Sequence, residues 1–279
     1  MNHICFNGKY FDAGQPVLLA SNRSYRYGDG VFETMKVQQG KILLSDYHFE
    51  RLFNSLDLLK FKKNKLLTRD KLEQDILRLC QKNAVEKLAR VRLSFSRGNG
   101  GLYDEDKETE WLIESWALNE SVNQLNENGL VIGIYPDVQK ATGKFSNIKS
   151  ANFQLYSMAA LFAKENKLND CLVLNSSGNI ADSTIANLFI IKNEKVFTPS
   201  LNEGCINGVM RRYLVEKLSG SVYSVLETVV TTEDLVQADE IFLTNAINGI
   251  RWVQLFNGKN YSNQQTKAIS RFLAATISA

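Results

Sequence analysis

Apolar positions in the first part of the chain alternate at strand spacing and then shift to a helical period. Residues 31–37 and 41–44 read as two strands flanking Gln38-Gln39-Gly40, whose glycine marks a hairpin tip. Phe49, Leu52, Phe53 and Leu56 recur at helical spacing, which predicts a helix over 45–59 with Ser45 as its N-cap. A second helix is predicted to start near Thr68 and to turn Leu72, Ile76, Leu79 and Cys80 inward. Strands follow at 89–96 and 110–118, separated by the glycine-rich Arg97-Gly98-Asn99-Gly100-Gly101. Residues 119–128 are polar, and the domain boundary is placed there, with a smaller domain over 1–120 and a larger one over 121–279. The second part reads as a strand at 130–135, a helix over 151–165, a strand at 171–174 and a turn at 175–178. Strands then reach about residue 197, a short one covers 241–244, and further helices fit 208–218 and 264–276. Strands broken by helices without a regular βαβ repeat predict an α+β protein.

Composition narrows the classes. Of 279 residues, 44% are hydrophobic, 23% are charged and 3 are proline, which argues against disorder and allows one large core or two moderate ones. The net charge of +3 is small and evenly spread, and the basic run over 60–65 reads as a solvated loop or helix end, so no nucleic-acid partner is expected. The 4 cysteines (Cys5, Cys80, Cys171 and Cys205) lack metal-ligand spacing, and only His3 and His48 could add imidazoles. Neither a zinc site nor a disulfide framework is expected. The first residues lack the basic start and apolar stretch of a signal peptide, and no apolar run is long enough for a bilayer. The expectation is a cytoplasmic protein with no membrane partner.

Taken singly, Arg51 and Lys149 read as surface charges. With their flanks they form an ordered set: Tyr27-Gly28-Asp29-Gly30-Val31-Phe32-Glu33-Thr34, His48-Phe49-Glu50-Arg51-Leu52, Lys149-Ser150-Ala151-Asn152 and the run Gly178 to Phe189. Thr198-Pro199, Gly204-Cys205-Ile206-Asn207-Gly208-Val209-Met210-Arg211 and the run Ala238 to Ala246 complete it. This set resembles the class IV aminotransferases, the fold-type IV enzymes that use pyridoxal 5′-phosphate (PLP), in order and spacing over nearly the whole chain.

The resemblance implies a two-domain α+β fold and an enzyme acting on a small amino substrate, as a homodimer. By resemblance Lys149 is the catalytic lysine that holds PLP and moves the substrate proton. Arg51 is the phosphate-binding arginine, its fork suited to two phosphate oxygens. Backbone amides near Ile206 and Asn207, in a turn before a predicted helix, meet the phosphate as well, and Asn245 and Ala246 match a further phosphate-side position. Asp182 stands where the family usually has the glutamate that faces the pyridine nitrogen, and it is one methylene shorter. Arg97, Arg92 and Lys36 are the candidates for substrate carboxylates, and the loop over 98–105 is expected to close over the site.

Within the family, Phe32 replaces the tyrosine of the D-amino-acid aminotransferases, and the loop after Arg97 lacks their Arg-x-His pair. Branched-chain aminotransferases are longer and differ after the first Tyr-Gly. Ser96 to Gly101, Asn207 to Arg211 and Asn245-Ala246-Ile247 resemble the 4-amino-4-deoxychorismate lyases. The expectation is such a lyase, with an amino-acid aminotransferase as the alternative. A third possibility, a PLP-fold binding protein with weakened catalysis, finds support only in the shorter Asp182.

Overall fold

The computed structural model describes residues 2–104, 108–220 and 223–277. The chain divides into two units, one of residues 1–121 with Lys149–Phe153, the other of Val122–Ile148 with residues 154–279. The segment Lys149–Phe153, read from sequence as part of the second domain, groups with the first unit.

The first unit runs β1 (His3–Phe6), β2 (Lys9–Asp12), α1 (Arg23–Tyr27), β3 (Gly30–Gln38), β4 (Lys41–Ile42), α2 (Ser45–Leu58), α3 (Arg69–Lys82), β5 (Leu88–Ser96) and β6 (Glu110–Ala117). Among the described residues its strands form a six-stranded sheet in the order β2-β1-β6-β5-β3-β4, every neighbouring pair antiparallel. The hairpin between β3 and β4 turns on Gln39 (φ 49°) and Gly40 (φ 71°), the left-handed pair whose twist matches the flanking strands. Thr68 caps α3, its side chain accepting from the Lys71 amide at 3.3 Å. Ser45 does not cap α2. The helix starts from Leu44, which is left-handed (φ 54°) and offers no side-chain cap, while the Ser45 hydroxyl turns to Glu73 on α3. Phe49, Leu52 and Leu56 of α2 and Leu72, Ile76 and Leu79 of α3 are buried with Met35, Val37, Val91 and Leu93 of the sheet; each such side chain contributes roughly 2 kcal/mol.

The second unit runs β7 (Leu130–Ile134), α4 (Gln154–Glu165), β8 (Asp170–Leu174), β9 (Ile180–Ser183), β10 (Asn187–Lys192), β11 (Lys195–Pro199), α5 (Val209–Leu218), β12 (Val225–Thr228), α6 (Thr232–Gln237), β13 (Glu240–Asn245), β14 (Gly249–Phe256), β15 (Lys259–Asn260) and α7 (Gln264–Ile277). Its nine described strands lie in the order β12-β11-β10-β13-β14-β7-β8-β9, with β15 beside β14. Parallel pairs (β11 with β12, β14 with β7, β7 with β8) sit among antiparallel ones, so both units are mixed α+β in the expected sense. Its core gathers Ile132, Leu172, Leu188, Ile190, Leu235, Ile241, Val253 and Phe256, with Phe189 and Phe242 stacked at 4.9 Å. The helix expected over 151–165 begins only at Gln154, because the residues before it are engaged elsewhere. No described helix is long and apolar enough to cross a membrane.

Candidate functional site

Lys149 stands in the short segment that joins the first unit, and backbone bonds hold that segment. The Phe32 amide donates to the Lys149 carbonyl (3.0 Å) and the Ala151 amide to Gly30 (2.8 Å), while Ser150 bridges Val31. Because β5 pairs with β3 from Gly30 to Gln38, these bonds fall on the other edge of β3 and satisfy groups an open strand would expose. The glycines of Tyr27-Gly28-Asp29-Gly30 leave room for this. A Cβ on Gly30 would lie 2.4 Å from the Phe95 carbonyl, and one on Gly28 (φ 66°) would lie 3.3 Å from Asn152 Cα. Held there, the Lys149 amine sits 4.5 Å from the Phe32 ring centre and 5.4 Å from that of Phe153, the two rings meeting edge to face at 5.5 Å. Arg92 covers the same Phe32 ring at 3.8 Å; burial lowers its pKa from the ordinary arginine value, against the pull of Glu114 across the strand pair.

Arg51 projects from α2 onto Glu33 of β3. Its Nε meets Oε1 at 2.7 Å and one terminal nitrogen meets Oε2 at 2.5 Å, a two-point pair. His48, one helical turn earlier, brings Nδ1 to 2.7 Å from Glu33 Oε2. Burial would raise the Glu33 carboxyl, but the Arg51 charge and the His48 hydrogen bond outweigh it and bring it down to about 2. His48 is lowered, first by burial, with the Arg51 and Lys149 charges adding to that and Glu33 opposing. The imidazole is therefore neutral at physiological pH, donating from Nδ1, and its buried Nε2 has no hydrogen-bond partner among the described residues.

In the second unit, Asp182 lies on β9 and is 2% exposed. Tyr156 of α4 places its hydroxyl 3.1 Å from each Asp182 oxygen. Lys140 brings Nζ 3.4 Å from Oδ2 and 2.5 Å from the Tyr156 hydroxyl, and the Ile206 amide donates to Oδ2 at 2.8 Å. The Asn207 amide donates to the Asn147 carbonyl at 3.1 Å. Both amides expected to face a phosphate are thus bonded within the unit. The following helix, α5, starts after Gly208 with no side-chain cap, and the first-turn amides of such a helix start suit an anion. Asn187 shapes the approach by donating to the Ile206 carbonyl at 2.8 Å, and a Cβ on Gly208 would fall 1.9 Å from its Oδ1.

The remaining sequence candidates divide. Arg97 is spent structurally: Nε meets Asp29 at 3.1 Å, Nη1 the Lys60 carbonyl at 3.0 Å and Nη2 the Leu59 carbonyl, with its head over the Phe61 ring. Lys36 is buried on β3, cross-strand from Arg90. The Asn245 side chain accepts from the Ile247 and Asn248 amides at 3.0 and 2.8 Å, closing the turn from β13 to β14 that carries Ala246. The end of the 98–105 loop, Glu105, lies outside the described residues. Glu33, His48, Lys140 and Tyr156 had no role assigned from sequence; for the first two, their place inside the quoted motifs was the available signal.

These arrangements match a known family. The model of the class IV aminotransferases ("Amino-transferase class IV") fits residues 30–256. The chain belongs to that family. It is 29% identical over 276 residues to the aminodeoxychorismate lyase of Bacillus subtilis (strain 168), covering 96% of this chain and 91% of that one. The 4-amino-4-deoxychorismate lyase of Pseudomonas aeruginosa superposes with a TM-score of 0.83 at 22% identity, covering 98% of each chain. The branched-chain amino acid aminotransferase of Escherichia coli does so with 0.87 at 20% identity, covering 98% of this chain and 92% of that one. At such identities the two structures speak for the shared fold alone.

Proposed function

We propose that the protein is a PLP-dependent lyase that releases 4-aminobenzoate and pyruvate from 4-amino-4-deoxychorismate. The observation that carries this reading is the match to the B. subtilis lyase over 96% of the chain, together with Asn207-Gly208-Val209-Met210-Arg211 at the start of α5. The side chains suit the cofactor: an amine beside aromatic rings (Lys149), a fixed guanidinium (Arg51), an uncapped helix start and a buried carboxylate (Asp182). PLP, when bound, supplies an electron sink for the substrate carbon that carries the amino nitrogen.

In this reading Lys149 holds the cofactor and takes the proton from that carbon. Phe32 and Phe153 keep water from one side of its amine. Arg51 and the first amides of α5 take the phosphate, with Ile206 and Asn207 shaping the turn before them and Asn245 and Ala246 on the same phosphate side. Asp182 faces the pyridine nitrogen. Arg92, sharing the Phe32 ring with Lys149, is the preferred receptor for a substrate carboxylate. Lys36, buried on the same sheet, is a second candidate cation, and Arg97 acts by holding Asp29. A homodimer is part of the proposal.

The test has two stages. The purified protein should show a visible absorption band with PLP that borohydride removes and that is absent in Lys149→Ala. It should then release pyruvate and 4-aminobenzoate in equal amounts. Transfer of the amino group to 2-oxoglutarate without those products would mark an amino-acid aminotransferase instead, and the band with neither reaction would mark a binding protein.

A further inference from the structure

Asp182 is shorter by one methylene than the family's glutamate, and three donors converge on it. Their pattern has a direction. A lysine ammonium only donates, so Lys140, 2.5 Å from the Tyr156 hydroxyl, uses that oxygen as an acceptor. The phenol proton must then point away from Lys140, and the Asp182 oxygens lie 3.1 Å from it. Burial first, and Asp182 next, raise the Tyr156 pKa well above the ordinary phenol value, so the phenol keeps the proton it donates. The Ile206 amide (2.8 Å) and Lys140 (3.4 Å) both load Oδ2. Oδ1 receives only a share of the Tyr156 proton, and it is the oxygen with acceptor capacity to spare.

We propose that Tyr156, directed by Lys140, is a positioning residue that turns the Asp182 carboxylate so that Oδ1 meets the ring nitrogen of the cofactor. The arrangement offsets the missing methylene: the backbone amide and the ammonium fix one oxygen, and the phenol sets the rotation of the other. This inference rests on the PLP reading above and deepens it.

The experiment measures equilibrium dissociation constants in the full-length protein for PLP and for an analogue in which CH replaces the ring nitrogen. The variants are Tyr156→Phe, Asp182→Asn and the double substitution. Tyr156→Phe keeps the ring and its volume, and should weaken PLP roughly tenfold, as expected for losing one hydrogen bond to a charged group. The analogue, with no ring N–H to meet, should bind Tyr156→Phe and the parent protein equally. In the Asp182→Asn background the Tyr156 effect on PLP should vanish. Equal losses for PLP and the analogue would mean a general packing role and overturn the proposal, as would an undiminished effect in the Asp182→Asn background or no effect at all. Failure of the parent protein to bind PLP would overturn the cofactor reading itself, a result distinct from these.

Discussion

Replacing Glu33 with glutamine removes the acceptor on which Arg51 and His48 converge, and the size of the effect can be worked from the site. The Glu33 carboxyl is displaced from 4.5 to about 2. At about 1.4 kcal/mol per pKa unit, the charged carboxylate contributes roughly 3 kcal/mol to folding, the lower end of the 3–5 kcal/mol typical for breaking a buried pair from one side. The folded-state value is depressed, so this contribution is fully present above about pH 4.5 and is lost as pH falls toward 2. Urea unfolding of the ligand-free protein at pH 7 should therefore show Glu33→Gln less stable by about 3 kcal/mol. The gap between parent and variant should narrow once the pH drops below about 4.5. A difference under about 1 kcal/mol at pH 7, or one that stays constant down to pH 2.5, would refute the assignment of Glu33 as the anchor of Arg51.

Three further outcomes follow from described features. Gly30→Ala drives a methyl to 2.4 Å from the Phe95 carbonyl, a backbone atom that cannot swing aside; calorimetry should show a loss of about 2 kcal/mol or more, and a stability within about 0.5 kcal/mol of the parent would contradict the close approach. Thr231→Ala removes the hydroxyl that accepts from the Asp234 amide in the capping box at α6, leaving the backbone half in place, and should cost about 1 kcal/mol in thermal or urea unfolding. All four cysteines are buried and free, with burial raising Cys5 and Cys80 to about 12 and Cys171 and Cys205 to about 11; a thiol reagent at pH 8 should label none quickly in the native protein and all four in denaturant.

Much of the architecture could be read from periodicity because the decisive pattern is local. The α3 face (Leu72, Ile76, Leu79) and the Thr68 cap lie within fifteen residues of one another, and the structure has both. Long-range pairing was where pattern reading stopped. Residues 151–153 carry helical spacing into α4, yet Ala151 bonds to Gly30 across more than a hundred residues of chain, and that pairing delays the helix. Ser45 looks like a cap, but a glutamate on another helix competes for its hydroxyl. The same limit applies at the site. Lys149, Arg51 and Asp182 were singled out only through resemblance, while Lys140 lies 42 residues from its partner Asp182 and no motif marks it. Arg97 was named as a candidate for substrate carboxylates from its place on the family's substrate side; the main-chain carbonyls it meets belong to residues 59 and 60, invisible to any window around it.

The segment Lys149–Phe153 also bears on how the protein can be made. The outer edge of β3 at Gly30–Phe32 is completed by residues that follow it by more than a hundred positions, so a ribosome that has released residues 1–121 has not yet delivered the strand-like piece that finishes the first unit. A gene cut at the polar stretch near 121 would leave the Lys149 segment on the wrong polypeptide. The first unit is therefore expected to become fully protected against amide exchange only after residues 149–153 have been synthesised.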